Sequence, residues 1–126
     1  MAATAAGTLG QALKYVGYVE GNSTPWSDRI GFPGGAWCGM FVMCMIQDAG
    51  GTTGNNATAT CPNTWYTPDG AAEFAAWGRF DFNPQPGDCI YFNWGADGSA
   101  TYLIDHIGLV VSTANWDNGN GYVDTV

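Results

Sequence analysis

The apolar segment at residues 38–49, CGMFVMCMIQDA, is the feature that most constrains the fold. Side chains are apolar on almost every face of a helix drawn through it, so this helix has no polar side to turn toward water. Gly50 and Gly51 follow and are expected to end the helix. The rest of the chain must therefore cover it on all sides. A length of 126 residues is sufficient for that, and we expect one domain over residues 1–126.

Further helices are predicted on both sides of this segment. Residues 8–20 predict an amphipathic helix packed on the body of the protein, because apolar side chains recur there every three or four positions. These side chains are Leu9, Ala12, Leu13, Val16 and Val19. Residues 20–35 are rich in turn-forming residues and are interpreted as a long loop. Later in the chain, Thr67 or Asp69 is expected to cap a short helix.

The last third of the chain changes to a strand pattern. Residues 89–94, 106–112 and 121–126 are predicted strands, and DNGNG at 117–121 predicts a hairpin between the last two. The sequence therefore predicts an α+β fold, with N-terminal helices packed on a C-terminal antiparallel sheet of at least three strands.

The charge balance excludes several classes of partner. The chain has 3 Lys and Arg against 11 Asp and Glu, for a formal net charge of −8 at pH 7. We therefore expect binding neither to nucleic acid nor to an anionic membrane surface. The sequence contains no apolar run long enough to span a bilayer, and its first residues lack the pattern of a secretory signal.

Metal and cofactor sites are not predicted. The cysteines lack the C-x-x-C spacing of a zinc site, and the Asp residues lack the spacing of a calcium loop. No cofactor is expected. Cys44, Cys61 and Cys89 are interpreted as small buried hydrophobic residues, with a disulfide among them as the alternative.

Cys38 and His106 are the candidate catalytic residues. Cys38 stands in the first turn of the buried helix, where unpaired N–H groups and the helix dipole stabilise a thiolate and could hold an oxyanion. Beside it, Gly39 would leave room for a substrate backbone, and Trp37 would offer an apolar wall or a stacking surface. His106 opens a predicted strand and is the only histidine. A thiol at a helix start followed by a histidine at a strand start is the layout of papain-like cysteine hydrolases.

Three ordered segments carry a resemblance to a known family. WCGMFV (37–42), NPQPGDCIYF (83–92) and DHIGLVV (105–111) resemble the CHAP family of cysteine, histidine-dependent amidohydrolases and peptidases. EGNSTPW (20–26) is similar to the segment before the cysteine in actinobacterial and actinophage members. The resemblance implies a papain-like fold and cleavage of an amide bond in peptidoglycan, as an endopeptidase or an N-acetylmuramoyl-L-alanine amidase of the phage endolysin kind.

The resemblance also implies roles for individual residues. Cys38 would be the nucleophile and His106 the general base and acid, with Trp37 and Asn22 as substrate contacts. Cys89 would fill a core position of the first strand of the sheet. Peptidoglycan would be the partner, together with a possible separate wall-binding domain. A phage enzyme of this kind acts from the host cytoplasm at lysis and then in the periplasm or cell wall, whereas other members are secreted.

The residue that orients the imidazole is the point at which this sequence departs from the family pattern. Family members carry a Glu or Asn on the strand after the histidine strand, and this chain ends at Val126 where that stretch is expected. We expect that the orienting residue is lost by C-terminal truncation, with Asp124 or a turn Asn as substitutes. The turn residues are Asn115, Asn118 and Asn120.

Two other functions remain open from the sequence. A domain that lacks its orienting residue could be a catalytically weak wall-binding module, or a structural module of a virion. The same Cys and His could instead serve an intracellular hydrolase or transferase that acts on an amide outside the cell wall. Glu20 and Glu73 are interpreted as surface carboxylates rather than a glycosidase pair.

Overall fold

The part of the chain that the structure describes has an α+β architecture, with four helices and seven short strands. A computed structural model describes residues 4–93 and 104–126. The helices are α1 (Ala5–Leu13), α2 (Pro25–Ile30), α3 (Cys38–Asp48) and α4 (Thr67–Ala76). The strands are β1 (Thr53–Gly54), β2 (Cys61–Pro62), β3 (Cys89–Phe92), β4 (His106–Ser112), β5 (Trp116–Asp117), β6 (Asn120–Gly121) and β7 (Asp124–Thr125). None of the helices within the described ranges has the length and apolar character needed to cross a bilayer.

Helix α3 lies at the centre of the core, as its sequence predicts. Met40 and Met45 are fully buried, and the stretch 42–46 is buried at every position. The core around them includes Trp26 of α2, Phe74 of α4 and the strand residues Ile107 and Leu109. α3 ends at Asp48, and Gly50 follows in a left-handed conformation with φ 92°. Other elements thus cover the helix on most of its surface.

Helix α1 begins and ends earlier than the predicted helix over residues 8–20. The hydroxyl of Thr4 caps it by accepting a hydrogen bond from the N–H of Gly7 at 2.9 Å. After α1 the chain turns, and Gly17 has a φ of 91°. As a result, three of the predicted core residues are exposed: Leu13 to 46%, Val16 to 70% and Val19 to 85%. Only Leu9 and Ala12 pack against the core as expected.

Helix α2 lies inside the segment predicted as a loop, so that prediction is wrong. The Thr24 hydroxyl accepts a bond from the N–H of Ser27 at 3.0 Å, and the Ser27 hydroxyl accepts one from the N–H of Thr24 at 2.9 Å. This reciprocal capping, with Pro25 at the first helical position, stabilises a helix of six residues. Helix α2 buries Trp26, whose side chain is only 3% exposed.

Helix α4 forms as predicted but without the predicted cap. Tyr66 is the N-cap residue and supplies no side-chain hydrogen bond. Thr67 is buried inside the first turn, and its hydroxyl donates to the carbonyl of Ile104 at 3.4 Å. Thr67 therefore ties α4 to the residues that precede β4.

Strand β4 is the central strand of a three-stranded antiparallel sheet in the order β3-β4-β7. β3 matches the first part of the strand predicted over 89–94, and Trp94 is outside the described residues. The predicted strand over 121–126 reduces to β7, because Gly121 belongs to a separate hairpin of β5 and β6. Asn118 and Gly119 form its turn, with φ 48° and 99°. The DNGNG signal therefore marks this small hairpin and not a connection within the main sheet.

Candidate functional site

The candidate catalytic residues lie at the same end of two packed elements. Gly39 and Val42 of α3 line one small cavity together with Ile107 of β4. Further along, Ile46 of α3 and Val110 of β4 line a second cavity. The two elements thus run in the same direction, and the first residues of both, Cys38 and His106, are at one end of the pair.

The segment 65–67 joins these two starting points. Gly39 has no room for a side chain, because a Cβ there would overlap the carbonyl of Trp65. Two residues later, Thr67 bonds to the carbonyl of Ile104, just before β4. This arrangement corrects the expected role of Gly39: the space beside it is filled by the protein's own backbone and not left for a substrate.

Cys38 is half-buried at the start of a helix that has no side-chain cap. The first intrahelical bond runs from the N–H of Phe41 to the carbonyl of Trp37 at 2.8 Å. The N–H groups of Cys38, Gly39 and Met40 therefore precede the hydrogen-bond ladder of α3 and point out of its N-terminus. This is the geometry in which backbone donors stabilise an anion.

Burial raises the thiol pKa of each of the other three cysteines. All four are free thiols, so none of the possible disulfides forms. Burial raises the pKa of the Cys61 thiol to about 11 and that of Cys89 to about 12. Burial also raises the pKa of Cys44. These three thiols are therefore protonated and weakly reactive at neutral pH.

His106 is half-buried and favours its neutral form. Loss of solvation lowers the pKa of its imidazole below the usual 6.5, and the negative charge of Asp105 opposes this in part. Phe92, its partner across the β3–β4 pair, lies beside the ring with a centroid separation of 5.5 Å. A neutral imidazole at pH 7 is able to accept a proton.

Trp37 belongs to a packed aromatic cluster rather than to an open wall. Its indole stacks on Trp26 with centroids 5.3 Å apart and an interplanar angle of 18°. Phe41 and Tyr18 meet the ring edge-on. The indole Nε1–H donates to the carboxylate of Glu20 at 2.7 Å. Glu20 is thus bound to the residue before Cys38, a contact that the sequence pattern did not predict.

Asn22 is exposed on the segment between α1 and α2. Its backbone carbonyl lies 3.8 Å from the position that a Cβ would take at Gly34. Asn22 therefore borders the loop that leads to α3. Its role as a substrate contact stays a prediction.

The second cavity, beside Ile46 and Val110, is at the opposite end of the α3–β4 pair. It has a volume of about 460 Å³ and is lined by residues of α1, α3, β3 and the segment 79–88, with neither Cys38 nor His106 among them. Phe82, which is 76% exposed, and Trp116 form part of its wall. The candidate catalytic pair therefore lies outside this cavity.

The register of the sheet excludes one expected partner of His106. Asp124 of β7 pairs with Ser112, at the far end of β4 and roughly 20 Å from His106 at about 3.3 Å per residue. The turn candidates belong to the hairpin of β5 and β6, which borders the second cavity through Trp116. These are Asn115, Asn118 and Asn120. Asp124 does not reach the imidazole from this position.

Within residues 4–93 and 104–126, no group of three or more His, Cys, Asp and Glu side chains could hold a metal ion. Comparisons of the chain with protein-family models, with curated proteins and with solved structures give no significant match.

Proposed function

We propose that the chain hydrolyses an amide bond of peptidoglycan, with Cys38 as nucleophile and His106 as general base and acid, on a papain-like fold of the CHAP type. The observation that carries the proposal is the common direction of α3 and β4, which brings the thiol and the imidazole to one end of the core. The uncapped N-terminus of α3 supports it further, because its N–H groups suit an oxyanion.

The reaction would proceed in two steps. His106 takes the proton of Cys38, and the thiolate attacks the carbonyl carbon of the amide. The N–H groups at the start of α3 stabilise the oxyanion of the tetrahedral intermediate. His106 then protonates the leaving amine, which leaves a thioester on Cys38. Water hydrolyses this thioester to a carboxylic acid and restores the thiol.

Wall attachment would depend on aromatic and amide groups or on a further domain. The net charge of −8 provides no basic surface for anionic wall polymers. A separate wall-binding domain is therefore the expected partner. Such an enzyme acts in the cell wall, either after release from the cytoplasm of a phage-infected host or after secretion.

The experiment is digestion of isolated actinobacterial cell walls by the purified protein. Appearance of new amino groups, followed by mass spectrometry of the released fragments, identifies the bond that is cut. Cys38→Ala and His106→Ala should abolish release, whereas Asp124→Asn should release as much as the wild type because Asp124 is remote from His106. Equal release by Cys38→Ala and wild type would contradict the proposal.

A catalytically weak wall-binding or virion structural module of the same fold is the alternative. The position of Asp124 bears on it, because a carboxylate opposite Ser112 at the far end of β4 does not orient the imidazole as the family pattern expects of this strand. Binding to walls without release of amino groups, unchanged in Cys38→Ala, would select this alternative.

A further inference from the structure

We infer that Glu20 is a positioning residue for Cys38 and acts through the indole of Trp37; this inference rests on the proposed function. Oε2 of Glu20 accepts a hydrogen bond from Nε1 of Trp37 at 2.7 Å. Trp37 is the N-cap residue of α3, and Cys38 follows it directly. The carboxylate thus holds the side chain of the residue that leads into the candidate nucleophile.

The indole of Trp37 is fixed at two different points. Its face stacks on Trp26, which is itself only 3% exposed and belongs to α2. Its edge is held by the bond to Glu20. Stacking alone permits an indole to slide or rotate in its own plane, whereas a bond at the ring nitrogen prevents this. Together, the two contacts define the orientation of the side chain and hence of the backbone from which Cys38 begins.

This matters because the first residue of α3 must be held without blocking the N–H groups of its N-terminus. Thr4 caps α1 and Thr24 caps α2 through their hydroxyl groups, but no side-chain hydrogen bond caps α3. The N–H groups there are left for a substrate, so the N-cap must be held by some other contact. The Glu20–Trp37 bond holds this residue without occupying those donors.

The contact is suited to orientation more than to global stability. Glu20 is exposed and lies between α1 and α2. On folding, its carboxylate exchanges a hydrogen bond to water for the bond to Trp37, so the net gain in stability is small. Its removal should leave the fold intact. The effect should fall on the reactivity of Cys38 and on the turnover number, since small displacements of a nucleophile are costly for rate.

The test compares Glu20→Ala, Glu20→Gln, Trp37→Phe and the double variant Glu20→Ala/Trp37→Phe. The readouts are the rate constant for alkylation of Cys38 by iodoacetamide, and kcat and KM on solubilised wall fragments. Glu20→Ala should lower the alkylation rate and kcat about 10-fold with KM nearly unchanged. Glu20→Gln should keep the alkylation rate and kcat within about two-fold of the wild-type values. Its amide oxygen accepts the same hydrogen bond, although the charge is gone.

Two controls separate positioning from general effects. Glu73→Ala removes the other glutamate, on α4, and should leave both rates unchanged. In the Trp37→Phe background, which lacks the indole donor, Glu20→Ala should have no additional effect. In wild type, the indole N–H resonance of Trp37, identified by its loss in Trp37→Phe, should move upfield in Glu20→Ala and stay in place in Glu20→Gln.

A wild-type alkylation rate in Glu20→Ala would overturn the inference, as would a loss that persists in the Trp37→Phe background. Failure of Glu20→Gln to restore the rate would also overturn it, since the charge and not the bond would then be responsible. The alkylation measurement needs no wall substrate. If the wild-type protein releases nothing from walls, the proposed function fails while the role of Glu20 is still decided by the reactivity of Cys38.

Discussion

Replacement of Gly39 by Ala tests the contact that joins the start of α3 to the segment 65–67. A Cβ at Gly39 would overlap the carbonyl oxygen of Trp65 and would lie 2.9 Å from its carbonyl carbon and 3.0 Å from its Cα. Carbon atoms pack at about 3.5–4.0 Å, so one backbone must move by roughly 0.5–1 Å. Both sides of the contact are main chain, and neither can move away as a flexible side chain would.

The expected loss of stability follows from two opposing terms. Overpacking of a dense site costs about 1–3 kcal/mol, and contact with a backbone places Gly39→Ala near the upper end. Ala in a helix recovers up to about 1 kcal/mol relative to Gly. The net loss in free energy of unfolding is therefore about 2 kcal/mol, or a fall in Tm of about 8 °C at roughly 4 °C per kcal/mol for a chain of this size.

Gly10→Ala is the matched control, and urea unfolding followed by circular dichroism is the assay. Gly10 lies in α1, is exposed, and would place its Cβ in open space. Gly10→Ala should therefore raise the free energy of unfolding by about 0.5–1 kcal/mol from helix propensity alone. Equal stabilisation by Gly39→Ala and Gly10→Ala would refute the close approach of Trp65 to α3.

Three further predictions follow from the charged and titrating groups. The NMR resonances of His106 should titrate below pH 6.5, and Asp105→Asn should lower its pKa further, because Asp105 opposes the effect of desolvation. Since the unfolded chain binds this proton more readily, the contribution of His106 to stability should be complete above about pH 6.5 and decline as the pH falls through its folded pKa. Iodoacetamide at pH 7.5 should label Cys38 before Cys89, because burial raises the pKa of the Cys89 thiol to about 12. Equal labelling of the two cysteines in peptide mass mapping would contradict this. Arg79→Met should lower the free energy of unfolding by about 1.5 kcal/mol, because the guanidinium donates to two backbone carbonyls at 2.9 and 2.8 Å; an unchanged urea midpoint would exclude that role.

The central elements of the fold could be predicted from the sequence because their signals are long and unambiguous. An apolar run that ends in two glycines specifies α3, and alternating apolar residues after His106 specify β4. The order of these signals, with helices first and strands last, indicated the α+β class. These two elements also carry Cys38 and His106, so the ends of both could be assigned without a structure.

The short elements could not be predicted because local capping decides them. α2 depends on the reciprocal bonds of Thr24 and Ser27, and residues of these types are equally typical of turns. Thr24-Pro25 ahead of a tryptophan was the available signal, since Pro favours the first turn of a helix. α1 stops at Leu13 although the apolar spacing continues, and beyond it Tyr15 and Tyr18 pack edge-on against Trp26.

The details of the site depend on contacts between residues far apart in the sequence. No periodicity links Glu20 to Trp37, or Trp65 to Gly39, because the folded chain and not local spacing brings them together. The register of the sheet could not be predicted from the sequence either. A pattern of alternating residues predicts a strand but not the partner opposite each residue, and only the pairing of Asp124 with Ser112 removes Asp124 from the site.

The stacked pair of Trp26 and Trp37 provides an optical reporter of the segment that leads into α3. With ring centroids 5.3 Å apart, the two indoles are close enough for their excited states to couple, and we expect paired bands in the circular dichroism spectrum. These bands should be lost when Trp37, at the start of α3, separates from Trp26 of α2. Unlabelled protein thus reports, through its own absorption, whether the backbone leading into the thiol is assembled.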